Sequence, residues 1–204
     1  MKIIALCWFG GKDTSPMNSF HHSVCIADPS WRAGQLGHLG AEAHYDLMTD
    51  DDIKAMGPAI EAHMSPDSVC FLWVTNATIK TGHDVLEAWG YKYSGTITWI
   101  KARMGLGQPL RNMTEHVLLG IKGRPPKPAF RGQGTWFFAP VQEHSHKPEE
   151  FYDIVDRLYP DGDRLELFAR RPRHGYHVWG NEIASDVDLD GFPVPDSPST
   201  RAVK

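Results

Sequence analysis

The stretch VCFLWVT at residues 69–75 decides the class of fold. Its first six residues are all apolar, which is the composition of a strand buried on both faces of a sheet. Further apolar or β-branched runs at 24–27, 93–100, 116–121 and 165–169 predict four more strands. A strand buried on both faces requires helices on both sides of the sheet.

Helical patterns alternate with these strands. A helix is predicted to begin at Thr49–Asp52, where three acids lie at the positive end of the helix dipole, and Gly57-Pro58 interrupts it. Further helices are predicted over residues 78–89 and from Pro148 to about Leu158. Strands and helices in alternation predict an α/β fold with a mostly parallel sheet.

The length of the chain suits one domain. Of the 204 residues, we predict that 1–184 form this single domain and that 185–204, rich in aspartate and proline, form a loose tail. Residues Ile3–Phe9 are predicted as a first strand; a secretion signal is the alternative, but no small-residue cleavage pattern follows them. Three widely separated cysteines without a CxxC pair predict a reduced, cytoplasmic protein.

Charge is unevenly distributed along the chain. The formal net charge is −4, yet residues 97–135 contain seven bases and one acid. The bases are Lys101, Arg103, Arg111, Lys122, Arg124, Lys127 and Arg131. A local basic surface is what phosphate binding requires, so this segment is predicted to contact nucleic acid; a solvated loop surface is the alternative.

Polar residues stand immediately after several predicted strands. Asp28, Asn76, Lys101 and Arg170 each follow the carboxyl end of a strand, and ligands of parallel α/β sheets bind at that edge. The sequence therefore predicts the functional site at this edge, with the ADPSW stretch of residues 27–31 at its centre.

The DPSW residues suit the activation of an amino group on an aromatic base. Such an amine is a poor nucleophile because its lone pair is delocalised into the ring. The Asp28 carboxylate and the Pro29 carbonyl are acceptors for its two N–H bonds, which would free that lone pair. Trp31 is predicted to offer a stacking face for a base taken out of its helix.

Other common chemistries are not indicated. Gly10-Gly11-Lys12 lacks the upstream glycine and the following Ser or Thr of a phosphate loop, and no GxGxxG follows a strand, which disfavours a nucleotide-dependent oxidoreductase. The histidines at 21–22 and 144–146 have no cysteine or carboxylate at ligand spacing. We therefore predict no metal site.

The order of the motifs resembles that of a known family, the DPPW-type adenine-N6 methyltransferases named after the seventy-kilodalton subunit of the messenger-RNA adenine methyltransferase. The similar segments are ADPSW at 27–31, HYDLMTDDDIKAM at 44–56, FLWVTN at 71–76, WGYKYSGTITWIKA at 89–102, EHVLLGIKG at 115–123, HSHKPEEFYDIVDRLYP at 144–160, LELFARR at 165–171 and WGNE at 179–182. The resemblance implies a Rossmann-like methyltransferase sheet in which the catalytic motif precedes the main cofactor segment.

The resemblance also implies roles for individual residues. The implied catalytic residues, which would hold the adenine amino group and base, are Asp28, Pro29, Ser30 and Trp31. The residues implied to bind the cofactor, S-adenosylmethionine, are Asp28, Lys147, Glu166, Phe168, Arg170, Asn181 and Glu182. Tyr45 and Glu115 match positions near the target nucleotide; on the charge argument, the predicted substrate-binding residues also include Lys101, Arg103, Arg111 and Arg131.

Ser30 departs from the family pattern, which has a second proline at this position. The Asp28 carboxylate and the Pro29 carbonyl are retained, so we expect an active enzyme with a less rigid turn. The alternatives are a different amine acceptor, such as cytosine N4, and a weakened enzyme.

The expected function is methyl transfer from S-adenosylmethionine to adenine N6 in nucleic acid. DNA is preferred over RNA because the compact chain is similar to the short prokaryotic and phage-type members of the family. RNA adenine methylation is one alternative, and a non-catalytic nucleic-acid-binding subunit of a methyltransferase complex is another. A homodimer or a partner subunit remains open, and no association with membranes is predicted.

Overall fold

The structure, a computed structural model, describes residues 21–31, 48–107, 109–142 and 146–194. Within these ranges the chain forms seven strands and four helices. The elements are β1 His22–Ala27, α1 Asp50–Ala55, α2 Gly57–Glu61, β2 Met64–Val74, α3 Ile79–Ala88, β3 Lys92–Lys101, β4 Thr114–Lys122, β5 Trp136–Ala139, α4 Glu149–Leu158, β6 Arg164–Leu167 and β7 Tyr176–Trp179.

All seven strands belong to one sheet with the order β5-β3-β4-β2-β1-β6-β7. Strand β4 pairs antiparallel with β2 and with β3, and the other four pairings are parallel. The prediction of an α/β fold with a mostly parallel sheet is therefore confirmed. The deciding stretch, VCFLWVT, lies in and just after β2, between β4 and β1, at the centre of this sheet.

Helices cover both faces of the sheet and create two hydrophobic cores. Cys70, Leu72 and Val74 of β2 pack in the core that contains buried residues of α1, α2 and α3. The alternate residues of β2, Val69, Phe71 and Trp73, pack in the core of the opposite face, where α4 contributes Phe151, Ile154, Val155 and Leu158. The all-apolar sequence of β2 follows directly from this three-layer arrangement.

The predicted start of the first described helix is confirmed by its cap. The Thr49 hydroxyl accepts a hydrogen bond from the Asp52 N–H at 3.1 Å, and the Asp52 carboxylate accepts one from the Thr49 N–H at 3.1 Å. This reciprocal pair satisfies two N–H groups that a helix start leaves open. The pKa of Asp52 is lowered because its carboxylate accepts hydrogen bonds from the Thr49 hydroxyl, at 2.6 Å, and from the Thr49 N–H. The interruption at Gly57-Pro58 is where α1 gives way to α2.

Two strands were not predicted from the sequence. Strand β5 has four residues at one edge of the sheet, and two of them, Trp136 and Phe138, are exposed. Strand β7 is equally short and forms the other edge. Because neither run shows a long apolar or alternating pattern, propensity alone does not distinguish them from loops. Strand β6 ends at Leu167, two residues earlier than predicted, because Phe168 adopts a φ of 62° that cannot continue a strand.

The prediction of a loose tail is wrong for residues 185–194. Val187, Leu189 and Val194 are buried in the core of the α1–α3 face. The Asp186 N–H donates to the Val178 carbonyl at 2.8 Å, and the Asp186 carboxylate accepts from the Val178 N–H at 3.0 Å. The acidic composition concealed these apolar anchors. Residues 195–204 and the predicted first strand at Ile3–Phe9 lie outside the described residues, and no helix of the described part has the length and apolar character needed to cross a membrane.

Gly180 allows the carboxyl ends of β6 and β7 to meet. A Cβ at this position would lie 2.0 Å from the Ala169 carbonyl oxygen. Just beside it, the Ala169 N–H donates to the Trp179 carbonyl at 2.9 Å. We therefore expect Gly180→Ala to lower the free energy of unfolding by at least about 2 kcal/mol, because backbone atoms must move apart. Urea unfolding followed by circular dichroism measures this change.

A matched control is Gly134→Ala, since a Cβ at Gly134 would have no neighbour within 4 Å. Its expected effect is within about 0.5 kcal/mol of zero. Equal unfolding midpoints for the two alanine variants would contradict the close approach at Gly180.

Candidate functional site

The predicted site residues meet at one edge of the sheet. Asp28 directly follows β1, and Phe168 directly follows β6, the parallel neighbour of β1. Glu115 is the second residue of β4, and it reaches the same edge because β4 runs in the opposite direction. The Asp28 N–H donates to the Leu167 carbonyl at 3.4 Å and so connects the ends of β1 and β6. This is the edge predicted from topology.

Four alternating charges form a continuous chain across this edge. Lys147 Nζ lies 3.0 Å from Asp28 Oδ1 and 2.9 Å from Glu115 Oε2. The other Glu115 oxygen forms an ion pair with Lys101. Lys147 Nζ also lies 4.8 Å from the centre of the Trp73 ring, which adds a cation–π contact. Lys147 therefore holds two carboxylates in place at once.

The two carboxylates of this chain differ in their affinity for protons. Burial raises the pKa of Asp28, and the nearby Glu115 charge raises it further, while Lys147 opposes both effects. Burial alone would also raise the pKa of Glu115, but Lys147 and Lys101 outweigh it and lower that pKa to about 2. Burial disfavours the charge of Lys147, but Asp28 and Glu115 raise its pKa above the usual value. Asp28 is thus the carboxyl group of the pair that accepts a proton more readily.

The DPSW stretch forms a tight turn next to the Asp28 carboxylate. Pro29 is buried, and its carbonyl accepts a hydrogen bond from the Trp31 N–H at 2.9 Å. A carbonyl has two lone pairs, so the Pro29 oxygen keeps the capacity for one further donor. Ser30, at the centre of the turn, is half-buried. The turn thus closes without the second proline of the family motif.

The prediction that Trp31 offers an open stacking face is wrong for this structure. Trp31 is only 4% exposed and packs in the core of the α1–α3 face. Its indole N–H donates to the Trp73 carbonyl at 3.0 Å, which ties the turn to the end of β2. Because that contact is buried, Trp31 supports the turn of Asp28 and Pro29 from the side of the core.

A second set of predicted residues lies beside Asp28 on the β6 side. Glu166, in β6, is 9% exposed, and one of its oxygens accepts a hydrogen bond from the Tyr152 hydroxyl at 2.6 Å. The pKa of Glu166 is raised by burial, and the Tyr152 hydrogen bond and the charge of Arg173 offset only part of this increase. The Arg173 guanidinium stacks 3.4 Å from the centre of the Tyr152 ring and forms an ion pair with Glu149 at 2.8 Å. Glu166 is therefore held by a buried hydrogen bond from Tyr152, whose ring is covered by Arg173.

Phe168 is the one non-glycine residue of the described chain with a positive φ, 62°. Such a conformation is strained, and strained residues concentrate at functional sites. The Phe168 ring packs edge-on against Trp179 at 5.3 Å between ring centres. Next along the chain, Arg170 Nε lies 3.8 Å from Glu182 Oε1, which links the loop after β6 to the loop after β7.

Asp28, Lys147, Glu166, Phe168 and Arg170 line one cleft. The cleft encloses about 370 Å³, part of it open to solvent. Its other lining residues are Ile26, Trp73, His146, Tyr152 and Arg171.

Not every predicted residue comes to this cleft. Asn181 is exposed and does not line it. Arg131 lines a different pocket, with Gly95 among its other residues. Gly95 lies six residues before Lys101 in β3, roughly 20 Å away along an extended strand. Arg131 therefore lies away from the cleft, and its contact with the substrate stays a prediction. Tyr45 lies outside the described residues.

The sequence did not single out Tyr152, Arg173 or Trp73 as site residues. Tyr152 lies on the apolar face of α4 and is buried, so its position in the sequence is typical of a core residue. Its place in the motif segment 144–160, which also contains Lys147, was the available signal. Trp73 belongs to the all-apolar β2, where nothing in the sequence distinguishes a cleft residue from a core residue.

Comparison with known proteins gives consistent results. The family model MT-A70 matches residues 22–182. The chain is 33% identical over 183 residues to the N(6)-adenosine-methyltransferase MT-A70-like protein of Drosophila melanogaster, covering 85% of this chain and 28% of that protein. It is 31% identical over 192 residues to the human N(6)-adenosine-methyltransferase catalytic subunit METTL3, covering 90% of this chain and 30% of that protein.

A bacterial relative is similar over a shorter segment. The type II methyltransferase M.MunI of Mycoplasma is 31% identical over 119 residues, which cover 57% of this chain and 51% of that protein. The chain spans less than a third of the length of the MT-A70-like relatives named above.

Proposed function

The chain belongs to the MT-A70 family of S-adenosylmethionine-dependent methyltransferases, as the resemblance of its motifs predicted, and we propose that it transfers a methyl group to the N6 amino group of adenine in nucleic acid. The observation that carries the proposal is the Asp28 carboxylate, paired with Lys147 and located in one cleft with the buried Glu166. Asp28 thus provides a hydrogen-bond acceptor for the amine, and Glu166 provides one for the cofactor, in the same cleft.

The residues of the cleft fit the family's cofactor chemically. Glu166 supplies a buried carboxylate of the type that binds ribose hydroxyls, and Phe168 supplies an aromatic face. We propose that these two residues hold S-adenosylmethionine together with Lys147 and Arg170 of the cleft. Glu182, which pairs with Arg170, and Asn181, its neighbour in the chain, complete the proposed set. When bound, this cofactor supplies an electrophilic methyl group.

The amine is activated by Asp28 and Pro29 in this proposal. The Asp28 carboxylate and the remaining lone pair of the Pro29 carbonyl accept the two N–H bonds of N6, which localises the nitrogen lone pair for attack on the methyl carbon. Lys147 keeps Asp28 ionised before the transfer. After the transfer, the nitrogen would be positively charged, with one proton more than neutral N6-methyladenine. Asp28, whose pKa is raised, is already in contact with this nitrogen and would accept that proton.

The buried hydrogen bond between Tyr152 and Glu166 leads to a prediction about cofactor affinity. Tyr152→Phe removes the donor to Glu166, so the pKa of that carboxyl rises further. We expect affinity for S-adenosylmethionine to fall about tenfold at pH 7. The loss is smaller at higher pH, where Glu166 ionises again. Calorimetric titration between pH 6 and pH 9 measures this shift.

Tyr159→Phe, at the C-terminal end of the same helix, is the matched control. It should leave the pH dependence of cofactor binding unchanged. If Tyr152→Phe bound the cofactor as well as the wild type at every pH, Glu166 would not be the cofactor carboxylate.

DNA is the polymer that we propose first. The hairpin between β3 and β4, which leaves the catalytic edge, exposes Arg103 and Arg111 together with apolar side chains suited to a double helix. RNA is the second candidate, because the similar proteins from Drosophila and human are named adenosine methyltransferases. Transfer of labelled methyl groups to duplex DNA, single-stranded DNA and RNA tests the choice. Transfer to RNA alone would overturn the preference for DNA.

The non-catalytic alternative receives less support. A subunit that only scaffolds a partner has no need for Asp28, Lys147 and Glu166 in one cleft. A second subunit or a homodimer that helps to grip the substrate remains compatible with the proposal, as does the cytoplasmic location predicted from the cysteines.

Phosphate contacts by the hairpin arginines should appear in the salt dependence of binding. Charge reversal at Arg103 or Arg111 is expected to weaken binding of duplex DNA and to lower the slope of log affinity against log salt by about 0.9 or more per residue. Fluorescence anisotropy at several salt concentrations measures the slope. Arg124→Glu, beyond the far end of β4, is the control that should leave it unchanged. An unaltered slope in the hairpin variants would remove this hairpin from the phosphate contacts.

A further inference from the structure

The hairpin between β3 and β4 is directly connected to the catalytic chain of charges. Its described residues are 102–107 and 109–113, here called the site hairpin. Lys101 ends the strand before it, Glu115 lies just after it, and these two residues form an ion pair with each other. Whatever the site hairpin contacts is therefore near the amine-activating residues.

The base of the site hairpin is firmly held. The Lys101 N–H donates to the Met113 carbonyl at 2.8 Å, and the Gly105 N–H donates to the Asn112 carbonyl at 2.7 Å. The Asn76 side chain, following β2, donates to Asn112 Oδ1 at 3.3 Å and to Thr114 Oγ1 at 3.2 Å. These hydrogen bonds fix the direction in which the hairpin leaves the sheet.

The side chains of the site hairpin are unusual for a loop in water. Leu110 is 80% exposed and Leu106 is 74% exposed. Met104 and Met113 are also exposed, so four of the nine large apolar side chains found exposed in the described ranges lie on this one hairpin. Exposed apolar side chains in such a cluster indicate a surface that is covered when the protein acts.

The charges around these side chains favour a nucleic acid as the occupant of this surface. Arg103 and Arg111 are exposed beside them, and no acidic residue occurs between Lys101 and Thr114. An apolar protein surface would leave the two guanidinium groups without partners, whereas phosphates on either side of a base stack would pair with them. Apolar side chains flanked by arginines are typical of protein segments that insert between stacked nucleobases.

The proposed reaction itself requires such an insertion if the substrate is a double helix. The adenine amino group is inside the stack, and the cleft at Asp28 receives it only after the nucleotide is turned out. The vacated position in the stack must be filled, because an empty gap loses stacking on both sides. A filler must extend from the enzyme close to the cleft, as the site hairpin does.

We propose that Leu106 and Leu110 enter the stack of a double-stranded nucleic acid and occupy the space of the adenine drawn into the cleft, while Arg103 and Arg111 hold the flanking phosphates. The inference rests on the proposed adenine methylation and adds to it how the base is extruded and which form of the polymer is used. Single-stranded substrates have little stack to open, so they need the two leucines far less.

The test compares one sequence as a double helix and as a single strand, in the polymer that the wild type methylates. The double variant Leu106→Ala/Leu110→Ala is expected to lose about 30-fold in kcat/KM on the double helix, because no side chain then fills the gap that the extruded base leaves. On the single strand the expected loss is less than about threefold. Arg111→Ala should lower kcat/KM on both forms. Trp136→Ala, which removes an exposed aromatic side chain on β5, should alter neither.

A second readout follows the extruded base directly. Once a methylated position is mapped, 2-aminopurine at that position should brighten on binding of the wild type and much less on binding of the double leucine variant. Three results would overturn the inference and leave the proposed function intact. They are equal losses of kcat/KM on both forms, equal brightening with the wild type and the double leucine variant, and a wild type that methylates only single strands. A wild type that methylates no polymer would instead contradict the proposed function.

Discussion

Asp28→Asn is expected to lower the rate of methyl transfer at least about 10³-fold while leaving S-adenosylmethionine binding within about threefold. The amide keeps the shape of the side chain, but it has one acceptor oxygen in place of two and no charge to stabilise the developing positive amine. Folding should survive, because Lys147 keeps its second partner, Glu115, at 2.9 Å. Single-turnover kinetics and calorimetric titration separate the two effects.

The matched control is Asp51→Asn, a carboxylate on α1 whose side chain is 94% exposed and far along the sequence from every cleft residue. It should transfer methyl groups at the wild-type rate. Comparable rates for Asp28→Asn and Asp51→Asn would exclude Asp28 as the group that activates the amine.

Lys147→Met is expected to impair both stability and activity, because it removes the cation between Asp28 and Glu115 and leaves Glu115 with Lys101 alone. Removing one member of a buried ion pair costs about 3 kcal/mol of unfolding free energy at pH 7. Methyl transfer should fall about 100-fold at pH 7, since Asp28 becomes protonated more easily and then loses acceptor capacity.

The pH dependence of Lys147→Met has a definite sign. In the wild type, the lowered pKa of Glu115, about 2, contributes stability that is present above pH 4.5 and is lost as the pH falls from there towards 2. In the variant, Glu115 keeps only Lys101, so its pKa is lowered less, whereas Asp28 loses the cation that opposed its raised pKa. The stability associated with Asp28 is therefore lost as the pH rises above about 4. The difference in unfolding free energy should therefore widen between pH 4 and pH 7, and the acidic limb of the rate profile should move to higher pH.

Lys122→Met provides the comparison, because Lys122 pairs with Glu61, whose side chain is 65% exposed. It should cost less than about 1 kcal/mol at any of these pH values. A difference between wild type and Lys147→Met that stayed constant from pH 4 to pH 7 would contradict the proposed coupling between Lys147 and the two carboxylates.

The centre of the fold was predictable because its signals are local. The run VCFLWVT has one structural interpretation, and Thr49 with Asp52 forms the reciprocal cap that its spacing suggests. The edge strands β5 and β7 were not predictable, because four residues at the edge of a sheet are specified by their neighbours rather than by their own pattern. The anchors Val187 and Leu189 were hidden for a similar reason, since they stand singly among acids.

The candidate site was predictable in its members more than in its contacts. Asp28, Lys147 and Glu166 line one cleft, as the topology and the family motifs predicted. No sequence pattern connects Lys147 with Glu115, which is 32 residues away in the chain, because the antiparallel direction of β4 brings them together. Trp31 illustrates the converse: a motif suggests an open stacking face, and only the packing around the residue reveals that it is buried.

The central claim is the transfer of a methyl group to adenine N6. The most direct measurement incubates the protein with S-adenosylmethionine carrying an isotopically labelled methyl group and with DNA or RNA, and then identifies the labelled nucleosides by mass spectrometry. The account predicts labelled N6-methyladenine with the wild type and none with Asp28→Asn. Labelled N4-methylcytosine, or no labelled nucleoside from a protein that binds the cofactor, would contradict it.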